Sequence, residues 1–228
     1  RGFEWIVDLW GADHHGYVPR MNAALQAMGY DENLFKVLLV QFVALKRDGK
    51  KVSMSTRSGE FETLADVIKE VGVDAARYFF LMRSSDSHLD FDLELAKKET
   101  PENPVFYIQY AHARICSIFR TAVEQGVNVS DYTDIDLRPL KDEEEFVLIK
   151  KILTFTETVE KSAELLEVHR IAFYLQDLVG SFHGYYSRHR VLSSDQCLSS
   201  ARLFLMDCLR ITIRNGLAVM GVSAPEKM

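Results

Sequence analysis

Apolar positions along the 228 residues follow two patterns, one typical of strands and one typical of helices. Residues 3–10 and 34–45 are short, nearly continuous apolar runs rich in aromatic and β-branched side chains, which predicts buried strands. Asp48-Gly49 is a tight-turn signal, so the second strand is expected to return as a hairpin. Alternation over 88–92 predicts one more short extended segment.

Helical spacing and capping residues organise the rest of the chain. Thr63 with Asp66 and Ser193 with Gln196 have the spacing of a capping box, and Asn103 before Pro104 is a typical helix start. Asp74 is predicted to cap a further helix. The helices expected on these signals cover about 19–28, 63–72, 75–83, 104–123, 142–167, 169–187 and the stretch from Ser193 to near Gly221.

The last four predicted helices are amphipathic, which predicts a bundle. The fold class expected is mainly α, with a remnant of a parallel α/β, Rossmann-like nucleotide-binding domain followed by an antiparallel helical bundle. The predicted parts are 1–62, 63–100 and 101–228. The predicted core positions are Ile108, Ala111, Ile115, Ile118, Ala122, Phe146, Ile149, Leu153, Thr156, Val159, Ala163, Leu166, Ile171, Leu175, Leu178, Phe182 and Tyr185.

Composition fits a globular protein, because 47% of the residues are apolar and 26% are charged. No apolar run reaches the roughly 18 residues of a membrane span. Three cysteines, odd in number and widely spaced, predict buried thiols in a cytoplasmic protein and neither disulfides nor a metal site.

The net charge of −6 is unevenly distributed. Residues 124–167 carry five basic and twelve acidic side chains, whereas residues 168–228 carry seven basic and four acidic ones. Two interpretations fit equally: two solvated helix faces, or a last third that meets a polyanion while the acidic middle faces away.

The turn after the first predicted strand offers groups that suit a nucleotide. Gly11 lets a base or ribose approach the backbone, Asp13 can accept from ribose hydroxyls, and His14 or His15 can stack on a base or donate to it. The alternative is that Asp13 caps the next helix and both histidines are solvated. Adjacent histidines project apart, which argues against zinc.

A second polar loop, 50–59, combines basic side chains, hydroxyls and a closing glycine. Such groups can bind phosphate, although a plain solvated loop has the same composition. Farther on, residues 181–190 interleave aromatic rings with arginine and histidine, which suits single-stranded RNA. Tyr185 and Tyr186 fit a helical core equally well on periodicity alone.

The two loops together resemble those of class I aminoacyl-tRNA synthetases, and the longer strings resemble the arginyl-tRNA synthetases. The resemblance covers nearly the whole chain. Its strings are Trp10-Gly-Ala-Asp-His-His-Gly-Tyr-Val-Pro-Arg20, Met54-Ser-Thr-Arg57, Asp74-Ala-Ala-Arg-Tyr-Phe79, His88-Leu-Asp-Phe-Asp92, Asn103-Pro-Val-Phe-Tyr-Ile-Gln-Tyr-Ala-His-Ala-Arg114 and Ser223-Ala-Pro-Glu-Lys-Met228.

This resemblance implies roles for individual residues. Ser55, Thr56 and Arg57 would be the catalytic residues of a KMSKS-like loop, in which Thr56 replaces the second lysine. Nearby Arg57, Lys50 or Lys51, or a basic residue elsewhere, would supply the missing charge. The implied ATP site contains Gly11, Asp13, His14, His15 and Met54. The implied tRNA-binding residues are Tyr107, Gln109, Arg114, Tyr185, Tyr186, Arg188, Arg190 and Met228.

The resemblance further implies ATP-dependent activation of arginine, with Mg²⁺, and its transfer to tRNA(Arg). No HIGH-like string precedes Gly11, so an amino-terminal half is expected to be missing and the chain alone is expected to be inactive and to bind no cofactor tightly. The expected state is a monomer that binds tRNA through a DALR anticodon-binding domain. The alternatives are a helical RNA-binding or interaction module without aminoacylation activity, and another class I synthetase such as the cysteinyl enzyme, whose zinc-ligand cysteines have no counterpart here.

Overall fold

The computed structural model describes residues 3, 5–52, 62–127 and 135–228. It is mainly helical, with 61% helix and 11% strand in small sheets, and this confirms the predicted predominance of helix. The chain forms two compact units. The first comprises Arg1–Phe61 and Arg83–Leu93, and the second comprises Glu62–Met82 and Glu94–Met228.

A parallel pair of strands opens the first unit. Strand β1, Ile6–Gly11, pairs in parallel with β2, Phe35–Val40, with Gly11 opposite Val40. A 3-10 helix over Ala12–Tyr17, helix α1 over Val18–Ala27 and a short 3-10 turn over Glu32–Leu34 connect them. The crossover is therefore helical, as parallel strands require.

The first unit contains a second small sheet. Strand β3, Val43–Arg47, pairs antiparallel with β4, Lys50–Lys51, and in parallel with β5, Leu89–Asp92. The predicted hairpin is confirmed: Asp48 and Gly49 both have positive φ, as a type I′ turn requires.

The prediction of a single strand over 34–45 is wrong, because the chain leaves the first sheet at Gln41. The backbone N–H of Gln41 donates to the carbonyl oxygen of Ser85 over 2.9 Å. The two halves of the apolar run thus join different sheets. Their buried side chains include Phe35 and Leu45.

Three short helices precede the longer ones, and α2 and α3 belong to the second unit. Helix α2, Leu64–Val71, starts with the predicted capping box, in which Thr63 and Asp66 bond reciprocally over 3.1 Å. Helix α3 is Val73–Leu81 and helix α4 is Leu93–Lys97. Asp74 does not cap α3, since Gly72 is the N-cap residue and Asp74 lies within the first turn.

Five longer helices pack on one another in the second unit. They are α5 (Pro104–Glu124), α6 (Glu143–Leu153), α7 (Phe155–Leu165), α8 (His169–Arg188) and α9 (Gln196–Val219). Helix α8 contacts the other four, and α5 and α6 also contact α9. Asn103 caps α5 as predicted, whereas Asp195, and not Ser193, caps α9 through a bond from Leu198 N over 3.1 Å.

The predicted apolar faces of α5 and α8 are confirmed. The α5 positions are all buried, and Leu175, Leu178, Phe182 and Tyr185 of α8 are completely inaccessible. No helix within the described residues combines the length and apolar character that crossing a membrane requires.

The single helix predicted over 142–167 is wrong, because it breaks at Thr154 into α6 and α7. The Thr154 hydroxyl donates to the Lys151 carbonyl oxygen over 2.8 Å. Glu145 and Leu148 face the interior of α6, while Phe146 and Leu153 are 47% and 74% exposed. The buried face is therefore rotated by one residue from the predicted stripe.

Candidate nucleic-acid interface

Helices α5 and α8 bring aromatic rings together on a half-buried face of the second unit. Tyr107 of α5 lies 4.5 Å from His183 of α8 between ring centroids. Phe106 and Tyr110 are stacked, with an interplanar angle of 12° and centroids 6.1 Å apart. We call the set Phe106, Tyr107, Tyr110, His183, Tyr186 and Arg114 the aromatic cluster.

Arg114 joins the two helices within this cluster. Its guanidinium carbon lies 5.2 Å from the Tyr110 ring centroid and 5.4 Å from that of Tyr186. Nη2 of Arg114 also donates to the Tyr110 hydroxyl. A cation held between two tyrosine rings lies within cation–π range of both and keeps each ring oriented.

His183 supports the cluster as a neutral ring. Its Nε2 atom is buried and has no hydrogen-bond partner among the described residues. Burial lowers the pKa of the His183 imidazole, opposed by its hydrogen bond with the Tyr107 backbone. At neutral pH the ring is therefore uncharged and packs by stacking, including on Tyr110.

The structure corrects the predicted stacking role of Tyr185. Its side chain is completely buried, and its hydroxyl donates to Oε1 of Glu145 over 3.1 Å. Burial raises the pKa of Tyr185, so the hydroxyl keeps its proton. A residue enclosed in this way has no ring face left for a base. Tyr186, one position further on, is half-buried and contacts Arg114.

The two predicted phosphate-binding arginines differ in how they are engaged. Arg188 is held by Glu144, which accepts from Nε over 3.1 Å and from Nη2. Arg190 is exposed, and among the described residues its guanidinium has no partner, although its carbonyl oxygen accepts from Arg202. Arg190 is thus the cation more readily available to a phosphate.

One group of side chains among the described residues has the proximity of metal ligands, although the sequence predicted no metal site. It comprises Asp142, Glu144 and His189. Each is already engaged: Asp142 accepts from Glu144 N in the cap of α6, and Glu144 holds both Arg188 and the His189 ring, the latter at 2.9 Å. The adjacent guanidinium neutralises charge that a metal ion would need. The group is therefore explained as a hydrogen-bonded contact between the start of α6 and the end of α8.

The other predicted RNA contacts on α5 have different surroundings. Gln109 is buried, and its amide donates to Asp74 over 2.8 Å and to the Ser223 carbonyl oxygen over 3.0 Å. This corrects its expected exposure, because both hydrogen atoms of the amide are used internally. Met228, by contrast, is 55% exposed.

The last residues of the chain are held against α5 by hydrogen bonds. His112 Nδ1 donates to the Pro225 carbonyl oxygen over 2.9 Å, and Arg120 donates to that of Glu226 over 3.1 Å. Asp74 accepts from Ser223 N over 3.1 Å. No local signal identified Asp74 or His112 as anchors, since their partners lie more than one hundred positions away.

The first predicted nucleotide loop lies in the first unit. A Cβ atom at Gly11 would come within 2.5 Å of Asp13 Oδ1, so a larger residue at this position would displace the Asp13 carboxylate. Asp13 is not a helix cap, so that part of the alternative is wrong, whereas both histidines are exposed, as the alternative also expected. The Asp13 carboxylate lies 3.7 Å from His14 Nε2. His15 Nδ1 donates to the Ala12 carbonyl oxygen over 3.2 Å.

Asp13 and His14 are more than half exposed, so polar groups remain accessible to a ligand. The other loop residues singled out by sequence, Met54, Ser55, Thr56 and Arg57, lie outside the described residues.

Comparison with known proteins gives a consistent family. Residues 108–228 match the DALR anticodon binding domain. The whole chain is 54% identical over 229 residues to an arginine–tRNA ligase from Citrifermentans bemidjiense and 55% identical over 230 residues to one from Desulfosudis oleivorans. It spans 41% of the length of each of these relatives.

Solved structures agree with these matches. A structure described as an arginyl-tRNA synthetase from Campylobacter jejuni superposes with a TM-score of 0.90 at 36% identity, covering 100% of this chain and 49% of that one. The arginyl-tRNA synthetase of Thermus thermophilus superposes with a TM-score of 0.78 at 25% identity, covering 99% of this chain and 41% of that one.

Proposed function

Because this chain belongs to the DALR anticodon binding domain family, we propose that it is the tRNA-binding part of an arginine–tRNA ligase. The complete enzyme would activate arginine with ATP and Mg²⁺ and transfer it to tRNA(Arg), as a monomer in the cytoplasm. On this proposal, the first unit is the remnant of a Rossmann-like nucleotide-binding domain, and α5–α9 form the antiparallel anticodon-binding bundle.

The observation that carries the proposal is the placement of Arg114 between Tyr110 and Tyr186. Unstacked bases of single-stranded RNA bind aromatic faces and guanidinium planes. The cluster offers both on a face that is only half-buried, with exposed Arg190 on the segment that follows α8. Such a surface suits loop nucleotides better than a regular duplex, since paired bases present no free face.

Charge supports local recognition over general attraction. The chain has a net charge of −6, so long-range attraction to RNA is weak and specific contacts must supply the affinity. The predicted contacts that remain in the proposal are Tyr107, Arg114, Tyr186, Arg190 and Met228. Arg188 would contact phosphate only when released from Glu144.

The first unit would contribute part of the ATP site. Asp13, His14 and His15 lie just beyond the carboxyl end of β1, where parallel sheets bind nucleotides. Their exposed acceptor and ring groups fit a ribose and a base, and Ser55, Thr56 and Arg57 are proposed to bind the phosphates. ATP supplies the activated phosphate when bound, and these residues would orient it and stabilise developing charge. With only part of the enzyme's length, the chain is expected to show no arginine-dependent ATP–pyrophosphate exchange.

Titration of labelled tRNA(Arg) with the 228-residue chain tests the proposal. Tyr186→Ala should weaken binding about 5- to 150-fold, because stacking on an aromatic ring is worth roughly 1–3 kcal/mol per base. Phe173→Ala is the matched control, since Phe173 is an aromatic residue of the same helix, is 51% exposed and lies outside the cluster.

Equal affinities for the wild type and Tyr186→Ala would refute the stacking surface. If Tyr186→Ala weakens binding of tRNA(Arg) and of unrelated tRNAs equally, the alternative is favoured: a general helical RNA-binding module without a role in aminoacylation.

A further inference from the structure

A polar groove of about 500 Å³ lies between the carboxyl-terminal half of α5 and the segment that ends α8. Its volume falls in the range of small-molecule binding sites. We call it the α5–α8 groove and define it by Ser117, Thr121, Gln125, Tyr186 and Arg190, which line it. These residues all belong to the second unit.

One wall of the groove is a row of uncharged hydrogen-bonding groups. Ser117 and Thr121 are four residues apart on one face of α5, and Gln125, four residues further on, is the C-cap residue of that helix. Their side chains have no hydrogen-bond partner among the described residues. Two hydroxyls and an amide in a row can donate and accept in turn, which suits the edge of a nucleobase, whose donors and acceptors alternate.

Among the residues that the structure describes, the opposite wall carries a single available cation. Arg188 and His189 also line the groove, but Glu144 holds both, and Asp142 lies 3.6 Å from the His189 ring. Arg190 is exposed and has no such acidic partner in the described part of the chain. One free guanidinium beside neutral polar groups matches a single phosphate attached to a base, and it does not match a highly charged ligand.

Tyr186 connects the groove with the aromatic cluster. The same ring that lies 5.4 Å from the Arg114 guanidinium carbon also lines the groove. A nucleotide in the groove would therefore be the chain neighbour of a base stacked on the cluster. The connection also explains why a free mononucleotide is a poorer candidate, since it would gain nothing from the adjacent stack.

We propose that the α5–α8 groove is a second nucleotide subsite, in which Ser117, Thr121 and Gln125 bind the edge of an unpaired base and Arg190 binds its phosphate. This inference rests on the proposed function, because it requires a single-stranded RNA segment on the aromatic cluster. It adds base-edge recognition to the stacking that the cluster provides.

The probe is the anticodon stem-loop of tRNA(Arg), intact or with one loop nucleotide at a time replaced by an abasic ribose. The 228-residue chain is titrated as the wild type, as the Thr121→Val/Gln125→Ala variant and as the Tyr186→Ala variant. Thr156→Val, an exposed threonine of α7, is the control for loss of a hydroxyl. Thr121→Val keeps the side-chain shape and Gln125 is exposed, so the fold should be retained, and circular dichroism verifies this.

The Thr121→Val/Gln125→Ala variant, here called the groove variant, should bind the intact loop with a Kd raised by about two- to tenfold per lost hydrogen bond. That loss should vanish with the abasic substitution at one loop position, adjacent to the position at which the effect of Tyr186→Ala vanishes. Thr156→Val should bind like the wild type. Arg190→Gln should flatten the salt dependence by about one phosphate contact, and Lys150→Gln should not.

If the groove variant binds every loop RNA as tightly as the wild type, or loses affinity equally with all abasic loops, the subsite does not exist. A loss caused by Tyr186→Ala in the same series would leave the proposed function intact. Failure of the wild type to bind the stem-loop at all would overturn both proposals.

Discussion

Arg202 of α9 and Glu145 of α6 form a buried ion pair, in which Nε donates to Oε1 over 2.8 Å. Only 1% of the Glu145 side chain and 12% of the Arg202 side chain are exposed. The same carboxylate oxygen accepts from the Tyr185 hydroxyl, so one acidic group joins α6, α8 and α9. This connection explains how Glu145, in the first turn of α6, is buried in an otherwise apolar interior.

Replacing Glu145 by alanine should lower the free energy of unfolding by about 3–5 kcal/mol, because Arg202 would remain largely buried without its partner. Urea denaturation measures the loss. Glu143→Ala, an exposed neighbour in the first turn of the same helix, is the control and should change stability little. A loss no greater than that of the control would mean that the pair does not hold the three helices together.

Tyr185 and Tyr186 should respond oppositely to substitution. Tyr185→Phe should destabilise the protein by about 1.5–3 kcal/mol through loss of a hydrogen bond to a charged group, with tRNA affinity unchanged. Tyr186→Leu should leave stability nearly unchanged but weaken tRNA binding. Thermal denaturation and RNA titration of both variants check the pair, and an affinity loss confined to Tyr185→Phe would reverse the assignment.

Glu144→Gln should strengthen RNA binding by releasing Arg188. The slope of log K against log salt should become steeper by about 0.7, the value for one phosphate contact on a single strand. Titrations at several salt concentrations measure it. In the Glu144→Gln/Arg188→Gln double variant this gain should disappear; if it persists, loss of the negative charge alone is responsible.

Stability should decrease as the pH falls below about 6.5, the unfolded value for histidine. Burial lowers the pKa of His112, although its bond to the Pro225 carbonyl oxygen opposes the shift, and burial lowers that of His183 as well. The unfolded chain then binds more protons than the folded one. The contribution of these two histidines to the free energy of unfolding is therefore fully present above the unfolded pKa and declines as the pH falls towards the folded pKa values.

Melting temperatures between about pH 5 and pH 8 measure this dependence. The His112→Gln/His183→Phe variant should show a flatter profile than the wild type, whatever its absolute stability. An unchanged slope would show that the acid sensitivity arises from other groups.

The carboxyl-terminal segment should be released when its anchor is removed. Asp74→Ala deletes the acceptor shared by Ser223 and Gln109, so amides of residues 222–228 should exchange hydrogen faster. Mass-spectrometric hydrogen exchange follows these peptides. Asp66→Ala, which removes the partner of Thr63 in the α2 capping box of the same unit, should leave their exchange unchanged. Equal acceleration by both variants would indicate general destabilisation.

Features that depend on near neighbours could be predicted from the sequence. The Asp48-Gly49 turn, the Thr63 capping box, the Asn103 cap and the buried faces of α5 and α8 are all confirmed. Each is decided by backbone preferences within a few residues or by apolar spacing along one helix, and those preferences act in any tertiary context.

The sequence motifs shared with the arginyl-tRNA synthetases indicated functional positions that apolar periodicity does not show. They singled out Tyr107 and Arg114 on α5 and the polar loops of the first unit. Apolar spacing alone described α5 as an amphipathic helix and gave no reason to assign its remaining face to RNA.

Tertiary structure decided how neighbouring residues divide between core and surface. Tyr185 and Tyr186 are chemically identical, but α6 and α9 place Glu145 and Arg202 beside one of them, while α5 places Arg114 beside the other. Periodicity therefore allowed both a core and a surface role for each ring.

The same reason accounts for the remaining differences. The engagement of Arg188 by Glu144 and the anchoring of Ser223 by Asp74 depend on how distant segments pack, because the partners are 44 and 149 positions apart. The sequence by itself determined the Asp48-Gly49 turn, the starts of α2 and α5 and the apolar faces of α5 and α8. Only the tertiary structure decided which polar side chains find partners, because those partners are brought together by packing and are separated along the chain.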